Sequence, residues 1–402
     1  MVFRHKHLCR FYRIEVKNKK MKKLIIVTTV PITLTGILAQ QPKFLAKHFD
    51  VAIISSPDAE LKKVQSNENV ETYAVSMQRG ISPVKDLISL FKMVMQLRAL
   101  KPTTVHSYTP KAGLITMLAG FICRVPVRVH TFTGLIFPTS TGIKKKILIW
   151  MDRLICACAT TIVPEGNGVK NDLIHYGITH KPLAVIGSGN IAGVDTALFC
   201  RQTVINQGLH LSLIKQLDLP VNAFVFCFVG RFTQDKGFTE LLSAFNELPD
   251  NAHLLLVGEM DERLPLPNEI TQTLNSHSRI HNIGWESDVR PALAISNVLV
   301  LPSYREGFPN TPLQAGAMEL PCIVSDINGC NEIIKPSFNG WIVPVKDSSA
   351  LANAMLKSMQ TDNLDQLGLQ ARANIVEKFE RQTHWQNMLN FYKQQLANVA
   401  KY

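Results

Sequence analysis

Gly230 is followed by Arg231, and Lys236 and Gly237 lie five and six residues beyond that arginine. The full run, Val229-Gly230-Arg231-Phe232-Thr233-Gln234-Asp235-Lys236-Gly237, follows the apolar stretch 223–229 and precedes a helical pattern that starts near Phe238. A glycine beside an arginine lets a loop tip aim two cations at one ligand. The guanidinium forks onto oxygens and the ammonium acts as a point charge, a combination that suits a diphosphate. A solvated basic turn would carry the same residues, and both readings stand at this point.

A second run, Arg305-Glu306-Gly307-Phe308-Pro309-Asn310-Thr311-Pro312-Leu313-Gln314, follows the strand candidate 298–302 and opens a helix near Asn310 or Thr311. Backbone N–H groups at such a helix start favour an anion. Gly307 permits close approach of the backbone to a ligand. Glu306 can accept hydrogen bonds from sugar-like hydroxyls, and Gln314, about two turns on, can reach a neighbouring hydroxylated group. The competing reading makes Glu306 a helix-capping acid. In the first half, His130 in Val129-His130-Thr131 follows a strand pattern, where a histidine is more often structural than functional.

These residues need elements to hold them. Short β-branched runs alternate with helical stretches throughout, which predicts parallel sheets covered by helices. The strand candidates are 24–29, 51–55, 70–74, 103–106, 127–131, 160–163 and 183–186, then 223–229, 253–257, 280–283, 297–301, 321–324 and 341–343. The clearest helix is 83–100, opened by Ser82-Pro83 and stopped by Lys101-Pro102. Further helices are expected at 237–248, 288–295, 310–319, 348–359 and 364–378. A last amphipathic helix, 383–399, places Trp385, Met388, Leu389 and Tyr392 on one face. The segment 190–220 shows no strong periodicity.

A chain of 402 residues suggests two α/β domains of roughly 150–200 residues each. We place them at 21–190, joined by the terminal helix 383–402, and at 191–382, with a hinge around Gly187–Asp195. Residues 1–20 are read as an unstructured extension, with Met21 as the biological start. The eight cysteines show no metal-ligand spacing and no disulfide framework. Net charge is +12, but residues 1–200 hold 27 Lys/Arg against 11 Asp/Glu, a balance of +16 that leaves −4 for the rest. So basic a half implies an anionic partner. No basic-aromatic pattern of a nucleic-acid binder is present, so an anionic membrane surface or a lipid diphosphate is favoured. Lys144, Lys145 and Lys146 with Arg153 form the best candidate patch, whereas Phe132, Leu135, Ile136 and Phe137 fit either an exposed loop or the core.

Taken together, the two runs resemble the C-terminal domain of family 4 glycosyltransferases, which have the GT-B fold of two Rossmann-like domains with parallel sheets facing across a cleft. The resemblance covers about 21–395. Within it lie Gly230-Arg231, Lys236-Gly237, Gly258, Gly284-Trp285, Glu306-Gly307-Phe308-Pro309-Asn310 and Asn339-Gly340. The subgroup that extends undecaprenyl-diphosphate-linked glycans or capsule and exopolysaccharide units looks closest, judged also by His106-Ser107-Tyr108-Thr109-Pro110-Lys111-Ala112-Gly113.

The resemblance implies a retaining transfer of a hexose or N-acetylhexosamine from a nucleotide sugar, with UDP expected as the nucleotide, to a lipid-linked saccharide acceptor. It gives Arg231 and Lys236 the diphosphate, Glu306 the sugar hydroxyls, and Gly230, Gly307, Phe308, Pro309, Asn310 and Thr311 the surrounding donor contacts. The base is expected near His281, Ile283 and Gly284, and His130 beside the donor sugar. Gly36, His106, Thr109 and Lys111 fall on the acceptor side. No metal or other cofactor is expected, and no Asp-x-Asp pattern is present. Such an enzyme would work in the cytoplasm, peripherally on the inner face of the plasma membrane. Two departures stand out: Gln314 replaces the family's second Glu, keeping an acceptor carbonyl without the charge; and Thr33-Leu34-Thr35-Gly36 lacks the usual paired glycines. A sugar-nucleotide 2-epimerase of the same architecture would need cleft carboxylates that cannot be assigned here. A non-catalytic sugar-nucleotide-binding scaffold is the other alternative.

Overall fold

The computed structural model describes residues 21–399 except 79, 81 and 263, so the expected 1–20 extension lies outside the described residues. β1 (Lys23–Val27), β2 (Asp50–Ser55), β3 (Glu71–Ala74), β4 (Thr104–Tyr108), β5 (Val127–Phe132) and β6 (Thr161–Pro164) form one sheet in the order β3-β2-β1-β4-β5-β6. β7 (Phe224–Val229), β8 (Ala252–Val257), β9 (Ile280–Asn282), β10 (Val298–Leu301), β11 (Cys322–Ser325) and β12 (Gly340–Val343) form the second, in the order β9-β8-β7-β10-β11-β12. Every strand pairing is parallel, and the two sheets share one winding. Runs such as Phe224–Val229 and Ala252–Val257 are apolar nearly throughout because helices cover both faces of a parallel sheet.

One expected strand is absent. Leu183 makes a single bridge to Ile162, and the chain then leaves the sheet. Pro182 supplies no N–H, and Gly187 and Gly189, both at positive φ, turn the backbone away toward the second lobe. The 190–220 segment contains two short helices, Arg201–Asn206 and Leu211–Leu217. The helix Pro83–Leu100 has the predicted ends, with Lys101 in the left-handed conformation as its stop. Its start differs in detail: the Ser82 side chain makes no cap bond, and Asp86 instead reaches back to accept from the Ser82 N–H at 3.3 Å.

The second lobe has one core, built from residues between Val194 and Phe379. The first lobe has a core on each side of its sheet, and one of these includes Met388, Leu389, Phe391 and Tyr392 of the terminal helix Arg381–Val399. The chain therefore passes between lobes twice. The passages are tied side by side, with Val194 N–H donating to Phe379 O at 2.8 Å and Arg381 N–H to Val194 O at 2.9 Å.

The terminal helix is fastened by a buried polar cluster. His106 Nδ1 and the Tyr392 hydroxyl share a hydrogen bond of 2.6 Å, and His106 Nε2 and Thr131 Oγ1 share one of 2.7 Å. Burial, with His130 nearby, holds the His106 imidazole neutral. Tyr392→Phe leaves Nδ1 with only the Tyr108 hydroxyl at 3.4 Å. It is expected to cost about 1–3 kcal/mol, read as a lower midpoint of denaturant unfolding. An unchanged midpoint would mean that apolar packing alone holds the helix.

Candidate active site

In both sheets strand order reverses between neighbouring strands, β1 with β4 and β7 with β10, and crevices open at the carboxyl ends of such strands. The loops leaving these four strands contain Gly36, Thr109, Arg231 with Lys236, and Glu306. They face one another between the lobes. A cleft of about 970 Å³ is lined by Gly36, Thr109, Lys111 and Arg231 among others. A cavity of about 230 Å³ adjoins it, lined by Arg231, Lys236, Arg305, Glu306 and Gly307, with Thr133 and Gly134 opposite. The two share Pro110, Ile136 and Arg231.

Lys236 ends the short turn Gln234–Lys236, and Gly237 follows at φ +74°. A Cβ on Gly237 would lie 2.2 Å from Pro302 O, so only glycine lets the β7 loop rest on the β10 loop. That contact brings Lys236 Nζ to 2.5 Å from Glu306 Oε1, with side chains only 18% and 15% exposed. Asp235 braces the arrangement. Its carbonyl accepts from Tyr304 N–H at 2.8 Å, and its carboxylate pairs with Arg305 at 2.9 Å and accepts from the Thr233 hydroxyl at 2.6 Å. Burial opposes its ionisation, but the Thr233 bond and the Arg305, Lys236 and Arg231 charges hold its carboxyl below the ordinary range. Arg231 is 62% exposed and bonds Asp261 Oδ2 at 2.6 Å from the lip of the larger cleft.

The start of the helix Asn310–Ala317 is set by Phe308, whose buried ring packs against Gly166, Gly189 and Phe379. Side chains larger than glycine at 166 or 189 would collide with that ring, since a Cβ at either would lie 2.7 Å from it. Asn190 donates to Asn310 Oδ1 at 2.9 Å, and Thr311 Oγ1 lies 3.4 Å from Val229 O. The Phe308 ring is thus committed to packing, and its carbonyl accepts from Asn190 Nδ2 at 3.3 Å. Gln314 follows in the same helix and is half-buried.

Other candidates fall elsewhere. His130 is fully buried beneath the cleft and lines neither cavity. Its Nδ1 shares a 2.9 Å hydrogen bond with Ser107, and Nε2 has no partner among the described residues. Burial pushes its pKa down to about 3, so the ring is neutral at physiological pH. His106 is not brought to the cleft at all: every residue of β4 is buried, and both its ring nitrogens are used inside the fold. His281 lies within β9, 3.0 Å from His253 Nδ1, while Ile283 and Gly284 reach the strand's carboxyl end beside Gly258. Of the four residues 132 and 135–137, three are buried and Ile136 faces the cleft.

Two acids join the site without having been singled out. Glu165 follows β6, buried against Gly307 of the other lobe. Burial first, then the Glu306 and Glu332 charges, raise its carboxyl well above the ordinary range. Glu332 accepts from the N–H groups of Asn167 and Gly168 at 2.7 and 2.9 Å, at the start of the first-lobe helix Asn167–His175. The available signal for Glu165 was its place immediately after a strand in an α/β sheet.

Two protein families match this chain: the Glycosyl transferase 4-like domain over residues 43–189 and Glycosyl transferases group 1 over 212–377. The capsular polysaccharide biosynthesis glycosyltransferase CapM of Staphylococcus aureus is 30% identical over 384 residues, spanning 94% of this chain and 97% of the relative. The UDP-Gal:alpha-D-GlcNAc-diphosphoundecaprenol alpha-1,3-galactosyltransferase of Escherichia coli is 29% identical over 341 residues, 83% of this chain and 86% of the relative. Anabaena HepE in complex with UDP shares the fold with a TM-score of 0.77 at 17% identity, over 92% of this chain and all of that one. With two facing sheets of one winding and a relationship that runs nearly end to end, the chain belongs to the family 4 glycosyltransferases and has the GT-B fold.

Proposed function

We propose that this glycosyltransferase moves a hexose or N-acetylhexosamine, with retention, from a UDP-sugar to a saccharide carried on a lipid diphosphate, in surface polysaccharide or glycan assembly. The observation that carries the reading is the convergence of Arg231, Lys236 and Glu306 on one cavity between the lobes, open to the first-lobe cleft. That convergence favours a transferase over a scaffold. The names of the S. aureus and E. coli relatives support a capsule or lipid-linked product, and the second of them a UDP donor. The basic first half supports an anionic membrane surface as partner and a place on the inner face of the plasma membrane.

In this scheme the donor diphosphate lies between Arg231, Lys236 and the N–H groups at the start of the helix Asn310–Ala317. As the bond from the anomeric carbon to the diphosphate oxygen breaks, charge gathers on that oxygen, where the two cations are already placed. The acceptor hydroxyl attacks from the face being vacated, and its proton passes to the departing phosphate. Glu306, held by Lys236, orients the sugar through its hydroxyls. The scheme uses no metal ion or other cofactor.

The test is binding and hydrolysis of a panel of UDP- and GDP-sugars by the purified protein. One UDP-sugar is expected to bind selectively and to lose binding in Lys236→Ala and Glu306→Ala. Well-folded protein that binds no donor would overturn the reading. Gln314→Glu, which adds a charge to hydrogen bonding at the ribose, is expected to tighten binding of that donor several-fold.

A further inference from the structure

The loops that follow β7 and β8 are fixed to each other beyond the ends of their strands. Gly230 N–H donates to Val257 O at 2.9 Å, Phe232 N–H to Glu259 O at 2.8 Å, and Asp261 N–H to Phe232 O at 3.3 Å. Phe232 makes a parallel bridge to Met260, and its side chain is buried. From this platform Asp261 Oδ2 accepts from Arg231 Nη1 at 2.6 Å. The two partners differ in exposure, with the Asp261 side chain 7% exposed and that of Arg231 62%. A buried, backbone-anchored carboxylate therefore holds an arginine that is otherwise open to solvent.

An exposed arginine has many rotamers, and its charge serves a reaction only in the one that meets the developing charge. The bond to Asp261 uses Nη1, and the Arg231 side chain has no other hydrogen bond or ion pair among the described residues. Nε and Nη2 are thus left for phosphate oxygens. Arg231 lines both the large cleft and the small cavity that contains Lys236 and Glu306, so the chosen position lies where the two meet. Other carboxylates compete for it. Glu259 and Glu262 are exposed in the large cleft, and Asp235 lines the small cavity. The loop itself does not need the ion pair, because the backbone bonds already fix it and a pair with so exposed a partner adds little stability.

We propose that Asp261 is a positioning residue for transfer, holding the Arg231 guanidinium at the boundary of the two cavities, in place for the diphosphate oxygen on which charge gathers. A cation set in advance needs no reorientation as the bond to the anomeric carbon breaks. The Asp261 charge opposes binding of the diphosphate, whereas the geometry it imposes favours the transition state. Its removal therefore shows in kcat and leaves donor binding nearly unchanged. The inference rests on the role proposed above for Arg231, and the experiment tests that role separately.

The experiment uses the full chain, with UDP as the probe of binding and, for turnover, hydrolysis of the UDP-sugar that the panel above selects. Asp261→Ala is expected to lower kcat about tenfold to a hundredfold, the scale of a misplaced contact. UDP affinity should stay within about threefold of wild type. Asp261→Asn keeps an acceptor oxygen at the same place and should recover most of the loss; it also serves where the alanine variant folds poorly, which the unfolding midpoint reports. Asp261→Glu keeps the charge, moves it by one methylene and should recover little. In an Arg231→Ala background, Asp261→Ala should cause no further loss, because its effect passes through the guanidinium. An equal loss with and without Arg231 would overturn the proposal and give Asp261 a task of its own. Wild-type turnover in Asp261→Ala would overturn it as well, and so would rescue by Glu but not by Asn. Wild-type turnover in Arg231→Ala would instead reject the role of Arg231 at the leaving group, on which the proposal stands.

Discussion

Lys236→Met is expected to lower kcat/KM for transfer by about 10²–10³-fold, the scale of losing one placed electrostatic contact to a leaving group. The ammonium is mostly buried and sits 2.5 Å from Glu306. Neither neighbouring cation makes up the loss, because Arg231 already supplies its own contact from the cleft lip, where it bonds Asp261, and Arg305 is paired with Asp235. Lys236→Arg should recover little, since a planar fork does not substitute for a point charge in a cavity of this size. The single variant also leaves the Glu306 carboxylate without its cation in a partly buried place, which destabilises the fold. Combining Lys236→Met with Glu306→Gln separates the two effects. The double variant should regain most of the lost unfolding midpoint and none of the transfer activity. Recovery of both would make the ion pair a structural strut, with the chemistry placed elsewhere.

How much of this was readable in advance depended on whether the signal was local. Buried parallel strands are unbroken apolar runs, and twelve of the thirteen expected ones are present. The thirteenth, 183–186, had the right composition, but Pro182 before it and Gly187 after it decided its course. The ends of Pro83–Leu100 were legible from Pro83 and Lys101-Pro102. Its buried face was not, because a helix apolar on both sides has no unique inward direction. Leu87 and Phe91 share the helical period with Val94 and Leu97 and lie on the opposite surface. His106 shows the same limit in a strand: alternation is lost where both faces are covered, so nothing local separated a histidine of the cleft from one bonded to Tyr392, 286 positions away. Gly230, Arg231, Lys236 and Gly307 could be placed because each sits on a loop directly after a recognisable strand. Glu165 and Glu332 act across the lobes, and no periodicity encodes that meeting.

Gly307 gives the sharpest test of the meeting itself. Its backbone does not require glycine, since its φ lies outside the left-handed range. What requires glycine is the other lobe. A Cβ there would stand 2.6 Å from Glu165 Oε2, 2.7 Å from Gly134 N and 2.7 Å from the Thr133 carbonyl carbon. All three belong to the first lobe, so an alanine collides first with that lobe and obstructs the closed apposition. Gly134 is a poorer probe, because its φ of +94° would add local strain to the same collision. Gly307→Ala is therefore expected to leave UDP binding within a few-fold of wild type by calorimetry. Transfer should fall about 10²-fold, the cost of moving a reacting centre by about 1 Å. Small-angle scattering should show a larger radius of gyration with the donor nucleotide bound. If Gly307→Ala transfers sugar at the wild-type rate, the reaction does not need the lobes this close, and Glu306 must reach the donor sugar in a more open arrangement.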